Sequence, residues 1–215
     1  GEGDNLIKTR LSTGEMNDLF WYNSGSLLKA LGPDNQLVDL SDESWTADIT
    51  DDFATVVSTE NGLYGAPVGA SFAGAMIYNK DVYAELGLEV PTTWDEFLAN
   101  AETIKVAGLD AVAQTYGDTW TSQVTLLGDF YNVLAQDPEW ADGYTANERK
   151  YVEEPALAGF EKLQELYDGG FFNKDFASAR YDDGVRMLVE GIAVHYPMLT
   201  SNVAAAIGEN FPDAA

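Results

Sequence analysis

Apolar and polar positions along the chain follow helical and strand periods in turn. Phe97, Ala101 and Ile104 repeat at helical spacing. Thr93 and Glu96 precede this stripe at the three-residue spacing of a capping box, which predicts a helix start. Short runs typical of strands alternate with the helices, at residues 18–22, 75–79, 111–115 and 192–196. Such alternation favours an α/β fold with a largely parallel sheet.

Glycine and proline mark the ends of further predicted helices. These helices span residues 4–13, 26–31, 51–58, 80–86, 122–135 and 182–190. Another is predicted to open at Pro155 and end at Gly169, with an apolar stripe of Leu157, Phe160, Leu163 and Tyr167. Pro197 is expected to interrupt the last strand. The Gly-rich residues 62–74 are expected to cross between two lobes, although one softened strand would give the same pattern.

The charge balance narrows the classes of partner. The chain has 11 Lys and Arg against 36 Asp and Glu, a formal net charge of −25. The acidic residues are spread along the sequence, which is typical of a solvated surface. This balance excludes a nucleic-acid binder that works through a basic surface, and it argues against docking on anionic lipid.

The residues that most catalytic sites need are scarce. The chain has no cysteine and a single histidine, His195. These counts exclude thiol chemistry and a multi-histidine zinc site. No phosphate-binding loop or dinucleotide motif is present, so we expect neither a cofactor nor a metal. His195 lies inside a strand pattern, and we expect it to be a structural residue with satisfied hydrogen bonds.

Carboxylate pairs leave one enzymatic alternative open. Glu153–Glu154 and Asp182–Asp183 could in principle serve glycoside hydrolysis, which uses two carboxyl groups on either side of a sugar. A secreted carbohydrate-active enzyme is therefore the alternative from another class. We expect no catalytic residue, because so acidic a chain will contain suitably spaced pairs by chance.

Aromatic side chains stand where predicted strands end or break. Tyr22 closes one strand, Phe72 lies in the Gly-rich segment, and Trp120 lies between a strand and a helix. Tyr196 and Met198 lie at the break of the last strand. Ligands of open α/β sheets bind beyond the carboxyl ends of the strands, where aromatic rings suit the apolar faces of sugars. Burial in the core is an equally good explanation for any single one of them.

Several segments resemble, in order, those of extracellular solute-binding proteins that serve carbohydrate ABC importers, the maltose-binding-protein-like family 1. They are residues 13–21 (TGEMNDLFW), 37–42 (LVDLSD), 64–68 with 76–80 (YGAPV, MIYNK), 91–97 (PTTWDEF) and 189–194 (VEGIAV). Two departures stand out. Asn17 replaces a usual proline, and Leu199-Thr200-Ser201 replaces a common Gly-Ser-Trp, so a frequent sugar-stacking tryptophan has no counterpart.

The resemblance implies an α/β type II periplasmic-binding-protein fold, with two lobes joined by a hinge crossing and incomplete at both ends. Residues 1–70 would form part of the first lobe, 71–75 the crossing and 76–215 most of the second lobe. A lone fragment would expose core surface, so a complementing chain or self-association is expected.

The implied function is capture of a sugar or oligosaccharide between the two lobes and delivery to an ABC permease in the membrane, with no chemistry. The protein would be extracellular or periplasmic, anchored as a lipoprotein when intact. The same resemblance is compatible with a non-sugar ligand such as a polyamine, and with a sensory or adhesive module that reuses the fold. The predicted ligand contacts are Tyr22, Asn23, Ser24, Phe72, Trp120, Gln123, Tyr196 and Met198.

Overall fold

The computed structural model describes residues 2–68 and 73–214. The chain divides into two compact units, Gly1–Ser71 (unit 1) and Phe72–Ala215 (unit 2). Residues 71 and 72 of the predicted crossing lie outside the described residues, so the crossing and the predicted lobe boundaries stay a prediction.

Unit 1 is built from short helices around a small apolar core. Its helices are α1 Glu2–Thr13, α2 Ser26–Lys29, α3 Pro33–Gln36 and α4 Asp51–Val57, with a 3-10 helix at Ser44–Asp48. Leu28, Leu31, Val57 and Leu63 form the buried cluster. The strand predicted at residues 18–22 was wrong, because this segment finds no neighbouring strand to pair with within the described residues.

Unit 2 alternates strands and helices as the sequence predicts. Its elements are β1 Gly74–Tyr78, α5 Lys80–Leu86, α6 Trp94–Val106, β2 Asp110–Val112, α7 Val124–Gln136, α8 Trp140–Thr145, α9 Leu157–Asp168, α10 Tyr181–Val189, β3 Ala193–Leu199 and α11 Thr200–Asn210. Strand β3 is buried from Ala193 to Met198, as expected of a strand with neighbours on both sides and helices on its faces.

The sheet of unit 2 is mixed, which corrects the expectation of a largely parallel one. The strand order is β1-β3-β2. Strand β2 runs parallel to β3, whereas β1 runs antiparallel to it. Periodicity identifies the strands but carries no information about their relative direction, which is why the sequence pattern did not distinguish these two pairings.

Pro197 does not interrupt strand β3, contrary to the prediction. The Asn79 N–H donates to the Val194 carbonyl at 2.9 Å. The backbone N–H and C=O groups of the even-numbered residues of β3 therefore point towards β1. Pro197 therefore directs its backbone nitrogen towards the β2 side. Strand β2 pairs only with Ala193 and His195, so no partner is lost where the proline lacks an N–H.

Helix α6 begins with the predicted capping box. The Glu96 N–H donates to the Thr93 hydroxyl at 3.2 Å, and the Thr93 N–H donates to the Glu96 carboxylate at 3.1 Å. Hydrogen bonds from the backbone and hydroxyl of Thr92 lower the pKa of Glu96. The predicted stripe of Phe97, Ala101 and Ile104 is buried. The capping box and the stripe are both confirmed.

Removing this cap should measurably destabilise unit 2. We expect Thr93→Ala to lower the free energy of unfolding by about 1 kcal/mol, because the Glu96 N–H loses its acceptor. The measurement is urea denaturation. Thr103→Ala is the matched control, since that hydroxyl bonds only to the Ala99 carbonyl inside the same helix. Equal losses in both variants would contradict the role of the cap.

Helix α9 buries a different face from the predicted one. Phe160 and Tyr167 of the predicted stripe are 43% and 56% exposed. Gly159 and Leu166 are buried instead. A Cβ at Gly159 would lie 3.3 Å from the Leu126 side chain, so the missing side chain allows α9 to approach α7 closely. The stripe prediction was wrong because it counted apolar side chains and not this close approach.

Within residues 2–68 and 73–214, none of the helices combines the length and the apolar character that a membrane crossing requires.

Candidate functional site

The carboxyl ends of β2 and β3 lie at the same edge of the unit 2 sheet, because the two strands are parallel. Residues 113–123 follow β2 at this edge and connect it to α7. Ligands of open α/β sheets bind outside such an edge. Trp120 and Gln123, two of the predicted ligand contacts, belong to this connection.

A buried hydrogen-bond network fixes the connection in place. The Thr121 hydroxyl donates to the Thr115 carbonyl at 2.6 Å. The Thr115 and Tyr196 hydroxyls lie 2.9 Å apart. At the outer end, the Tyr181 N–H donates to the Asp118 carboxylate at 2.8 Å, which ties the connection to the first turn of α10.

Gly117 holds the connection in place, a structural role that sequence reasoning missed. Its N–H donates to the Ala179 carbonyl at 2.9 Å. A Cβ here would lie 2.3 Å from the Ser178 carbonyl oxygen, closer than any real contact. Only glycine lets the connection lie against residues 178–179. The chain has 20 glycines, and nothing in the sequence distinguishes Gly117 as the one that lies against another backbone segment.

Trp120 presents part of its ring to solvent. Its side chain is 39% exposed, and its ring centroid lies 5.5 Å from that of Tyr181. Gln123 is exposed at the end of the 3-10 turn Thr121–Gln123, which Trp120 precedes. The structure therefore places an aromatic face and an amide side chain on one short segment. Tyr181 joins them although 61 residues separate it from Trp120 in the sequence, a proximity that no pattern indicates.

Tyr196 and Met198 lie in the core of unit 2. They are 1% and 0% exposed and belong to the cluster that also holds Val185 and Val203. Burial raises the pKa of Tyr196, whose hydroxyl is occupied with Thr115. Because both side chains are buried, neither presents a surface to a ligand, and the structure does not support the prediction that they contact one. The alternative explanation, burial in the core, describes both residues.

In unit 1, Tyr22 and Asn23 line a shallow cavity of about 400 Å³ together with Trp21 and the first turns of α1. Asn23 and Ser24 are exposed. Burial, followed by the nearby Asp4 carboxylate, raises the pKa of Tyr22. The turn that follows is anchored at Gly25, whose N–H donates to the Val56 carbonyl at 2.7 Å. Phe72, the remaining predicted contact, lies outside the described residues.

His195 is a structural residue, which confirms the expectation. It is 1% exposed, with Nδ1 2.7 Å from the Ala111 carbonyl oxygen and Nε2 2.6 Å from the Tyr83 hydroxyl. Burial lowers its pKa to about 4. A neutral ring satisfies both contacts, with Nδ1–H donating to Ala111 and the Tyr83 hydroxyl donating to Nε2.

The acidic pairs occupy surface and capping positions. Glu153 and Glu154 are exposed. The Asp183 carboxylate accepts the Arg180 N–H at 2.9 Å at the start of α10 and pairs with Arg186. In the part of the chain that the structure describes, no group of three or more His, Cys, Asp or Glu side chains could hold a metal ion.

Comparison with known proteins identifies similar chains. The family model of bacterial extracellular solute-binding proteins matches residues 1–211. A multiple sugar-binding protein of Streptococcus mutans is 24% identical over 185 residues, which cover 84% of this chain and 44% of that protein. A melibiose/raffinose/stachyose-binding protein of Bacillus subtilis is 24% identical over 103 residues, 47% of this chain and 23% of that protein.

Solved structures share the fold. The solute-binding protein RafE in complex with raffinose superposes with a TM-score of 0.76 at 26% identity, covering 99% of this chain and 56% of that one. A chitin oligosaccharide binding protein gives a TM-score of 0.81 at 19% identity, covering 94% and 51%. The chain thus has the α/β periplasmic-binding-protein fold, as predicted. It spans about half the length of these structures and less than half of the curated relatives above.

Proposed function

Because the chain belongs to the bacterial extracellular solute-binding proteins, we propose that the intact protein is the substrate-binding component of a carbohydrate ABC importer. It captures a sugar or oligosaccharide outside the cytoplasm and delivers it to a permease. The names of the two curated relatives, for multiple sugars and for melibiose, raffinose and stachyose, support a carbohydrate ligand. Members of this family are solute-binding proteins and not enzymes, which argues against a glycoside hydrolase.

The observation that carries the proposal is the partly exposed Trp120 ring beside Tyr181 at the carboxyl edge of the sheet. Aromatic faces stack on the apolar faces of sugar rings, while amides bind the hydroxyls. We assign stacking to Trp120 and hydrogen bonding to Gln123. In unit 1, Tyr22, Asn23 and Ser24 form a second candidate surface, and Phe72 is kept as a further candidate.

Membrane attachment is a separate part of the proposal. The family is extracellular, which places the protein outside the cytoplasm. Anchoring as a lipoprotein requires a lipid-bearing cysteine, and residues 1–215 contain none. The lipid would therefore be carried by polypeptide outside these residues. Mass spectrometry of the protein from its native membrane fraction tests this, and a mass without lipid would exclude the anchor.

Replacing Trp120 should weaken sugar binding. We expect Trp120→Ala to raise the Kd for its sugar at least about tenfold, equivalent to about 1.4 kcal/mol, because the stacking face is lost. Isothermal titration with raffinose, stachyose and melibiose measures this. Tyr131→Ala is the matched control, since this tyrosine is 78% exposed on α7 and outside the candidate surface.

Two results would contradict the proposal. Stabilisation of the protein by spermidine or amino acids and by none of the sugars would overturn the carbohydrate assignment. Equal sugar affinity in Trp120→Ala and Tyr131→Ala would remove Trp120 from the site.

A further inference from the structure

A tight turn of unit 1 carries the one Asn-Gly pair of the chain, Asn61 and Gly62. The turn is closed by an antiparallel bridge between Ser58 and Leu63. Inside it, the Thr59 N–H donates to the Gly62 carbonyl at 3.0 Å. Asn61 lies at the tip of the turn and is exposed. Water therefore has access to the side-chain amide of this asparagine.

The backbone nitrogen of Gly62 is free to act as a nucleophile. Within residues 2–68 and 73–214, its N–H has no hydrogen-bond acceptor, whereas the N–H groups of Asn61 and Leu63 donate to side chains. A backbone nitrogen can attack the amide carbon of the asparagine that precedes it. Glycine hinders this attack least, because it has no Cβ. No hydrogen bond has to break before the Gly62 N–H gives up its proton.

We propose that Asn61 is a site of spontaneous deamidation in the folded protein. The Gly62 nitrogen loses its proton to water and forms a bond with the amide carbon of the Asn61 side chain. The bond from this carbon to the amide nitrogen breaks, and the nitrogen takes up a proton and leaves as ammonia. Water then opens the resulting cyclic succinimide at either carbonyl, which gives aspartate or isoaspartate at position 61. Water is the only co-reactant, and the reaction does not depend on the ligand that the protein transports.

Deamidation would place a second carboxylate beside that of Asp34. The Asn61 side-chain amide donates to Asp34 Oδ2 at 3.0 Å, and the Thr59 hydroxyl donates to Asp34 Oδ1 at 2.5 Å. The hydrogen bonds from Thr59 and then Asn61 lower the pKa of Asp34, so its carboxyl group is ionised at neutral pH. A carboxylate at position 61 would remove one of these donors and repel the charge of Asp34. Isoaspartate would in addition lengthen the backbone of the turn by one carbon.

The turn is coupled to the core of unit 1 through Leu63, which belongs to the buried cluster of that unit. The Leu63 N–H donates to the Asp39 carboxylate at 3.1 Å, and the Tyr64 N–H donates to the Val57 carbonyl at 2.9 Å. A Cβ at Gly62 would lie 2.6 Å from the Asp39 carboxyl group, so the turn packs closely against it. We therefore expect deamidation to loosen this part of unit 1 and to leave unit 2 unchanged.

Peptide mass spectrometry of the folded protein, sampled during incubation in mildly alkaline buffer, tests the reaction. Position 61 should gain one mass unit before any other asparagine does, and fragmentation should find both aspartate and isoaspartate there. The rate should rise with pH, because the Gly62 nitrogen must lose its proton. Asn23 is the matched control. It is also exposed, but Ser24 follows it, so it should react several-fold more slowly than Asn61.

Three variants test the consequence for unit 1, with amide hydrogen exchange at Leu63 and Tyr64 as the readout. Asn61→Asp has the charge of the product and should speed exchange several-fold beyond Asn61→Ala, which loses the same donor without adding a charge. Combining Asp34→Asn with Asn61→Asp swaps the donor and the acceptor, and should return the exchange rates to those of the wild type. The Ala113 amide, which is hydrogen-bonded within unit 2, should exchange equally in all of these proteins.

Three results would overturn the proposal. In the first, position 61 stays unchanged in the folded protein and reacts only in the urea-unfolded chain, which would show that the turn protects the asparagine. In the second, Asn23 reacts as fast as Asn61, so that the neighbouring glycine confers nothing. In the third, the amides of Leu63 and Tyr64 exchange no faster in Asn61→Asp than in Asn61→Ala, which would separate the turn from the core of unit 1.

Discussion

Lowering the pH from 7 to 4 is expected to destabilise unit 2 by about 3 kcal/mol through His195 alone. The folded state holds the pKa of this ring at about 4, whereas an unfolded histidine titrates near 6.5. Between these values the unfolded chain binds a proton that the folded chain does not, so stability falls as the pH falls. Above about pH 6.5 the contribution is complete.

The cause of this shift is burial without a compensating negative charge. The groups that contact the ring are the Ala111 carbonyl, the Tyr83 hydroxyl and the Phe97 ring. The hydrogen bond to Ala111 favours the charged form, but desolvation outweighs it. Protonation would also leave Nε2–H facing the Tyr83 hydroxyl, which would then have to give up its role as donor.

The measurement is direct because the chain has one histidine. NMR titration of its ring signals should give a midpoint near pH 4 in the folded state. Urea denaturation at several pH values should show a steeper loss of stability for the wild type than for His195→Asn. The carboxylates titrate in both proteins, so their effect cancels when the two pH profiles are compared. A folded-state midpoint near 6.5 would contradict the prediction.

Gly117→Ala should cost unit 2 about 2–3 kcal/mol, although it adds only a methyl group. The new Cβ would lie 2.3 Å from the Ser178 carbonyl oxygen and 2.7 Å from that of Ala179. Both atoms belong to the backbone, so the clash cannot be relieved by rotating a side chain. The hydrogen bond from the Gly117 N–H to the Ala179 carbonyl would be lost as residues 115–121 move away from residues 178–179.

Gly128→Ala is the matched control for this substitution. Its Cβ would meet nothing within 4 Å, and an alanine inside α7 should raise stability by about 0.5–1 kcal/mol. Thermal unfolding of both variants gives the comparison. If Gly117→Ala is as stable as the wild type, residues 115–121 are not held against residues 178–179 as the structure describes.

Local features of the fold could be predicted from the sequence. The capping box at Thr93, the buried stripe of α6 and the bounds of α5 depend on residues close together in the chain, and the structure confirms each. The direction of β1 could not be predicted, because it is decided by contacts between distant segments. The exposure of the Phe160 and Tyr167 side chains could not be predicted either, because α9 packs its Gly159 side against α7.

The candidate site was predictable to a similar extent. Trp120 and Gln123 were selected because they follow a strand at the edge where such folds bind ligands, and the structure leaves both exposed there, while their contact with a ligand stays a prediction. Tyr196 and Met198 follow the same rule, yet the structure buries both. Position relative to a strand end does not reveal which way a side chain points. The position of Tyr181 beside Trp120 depends on the hydrogen bond from its N–H to the Asp118 carboxylate. These two residues are 63 positions apart, so no local sequence pattern indicates that they meet.

The separate cores of the two units affect how any stability measurement must be interpreted. Leu28, Leu31, Val57 and Leu63 belong to unit 1, whereas the clusters around Tyr196, Ile104 and Trp140 belong to unit 2. Chains with two cores need not unfold in one cooperative step, so one melting temperature describes both units only if they unfold together. Each unit carries its own tryptophans, at positions 21 and 45 and at positions 94, 120 and 140. Total fluorescence therefore mixes both transitions, whereas a signal from one unit would report that unit alone.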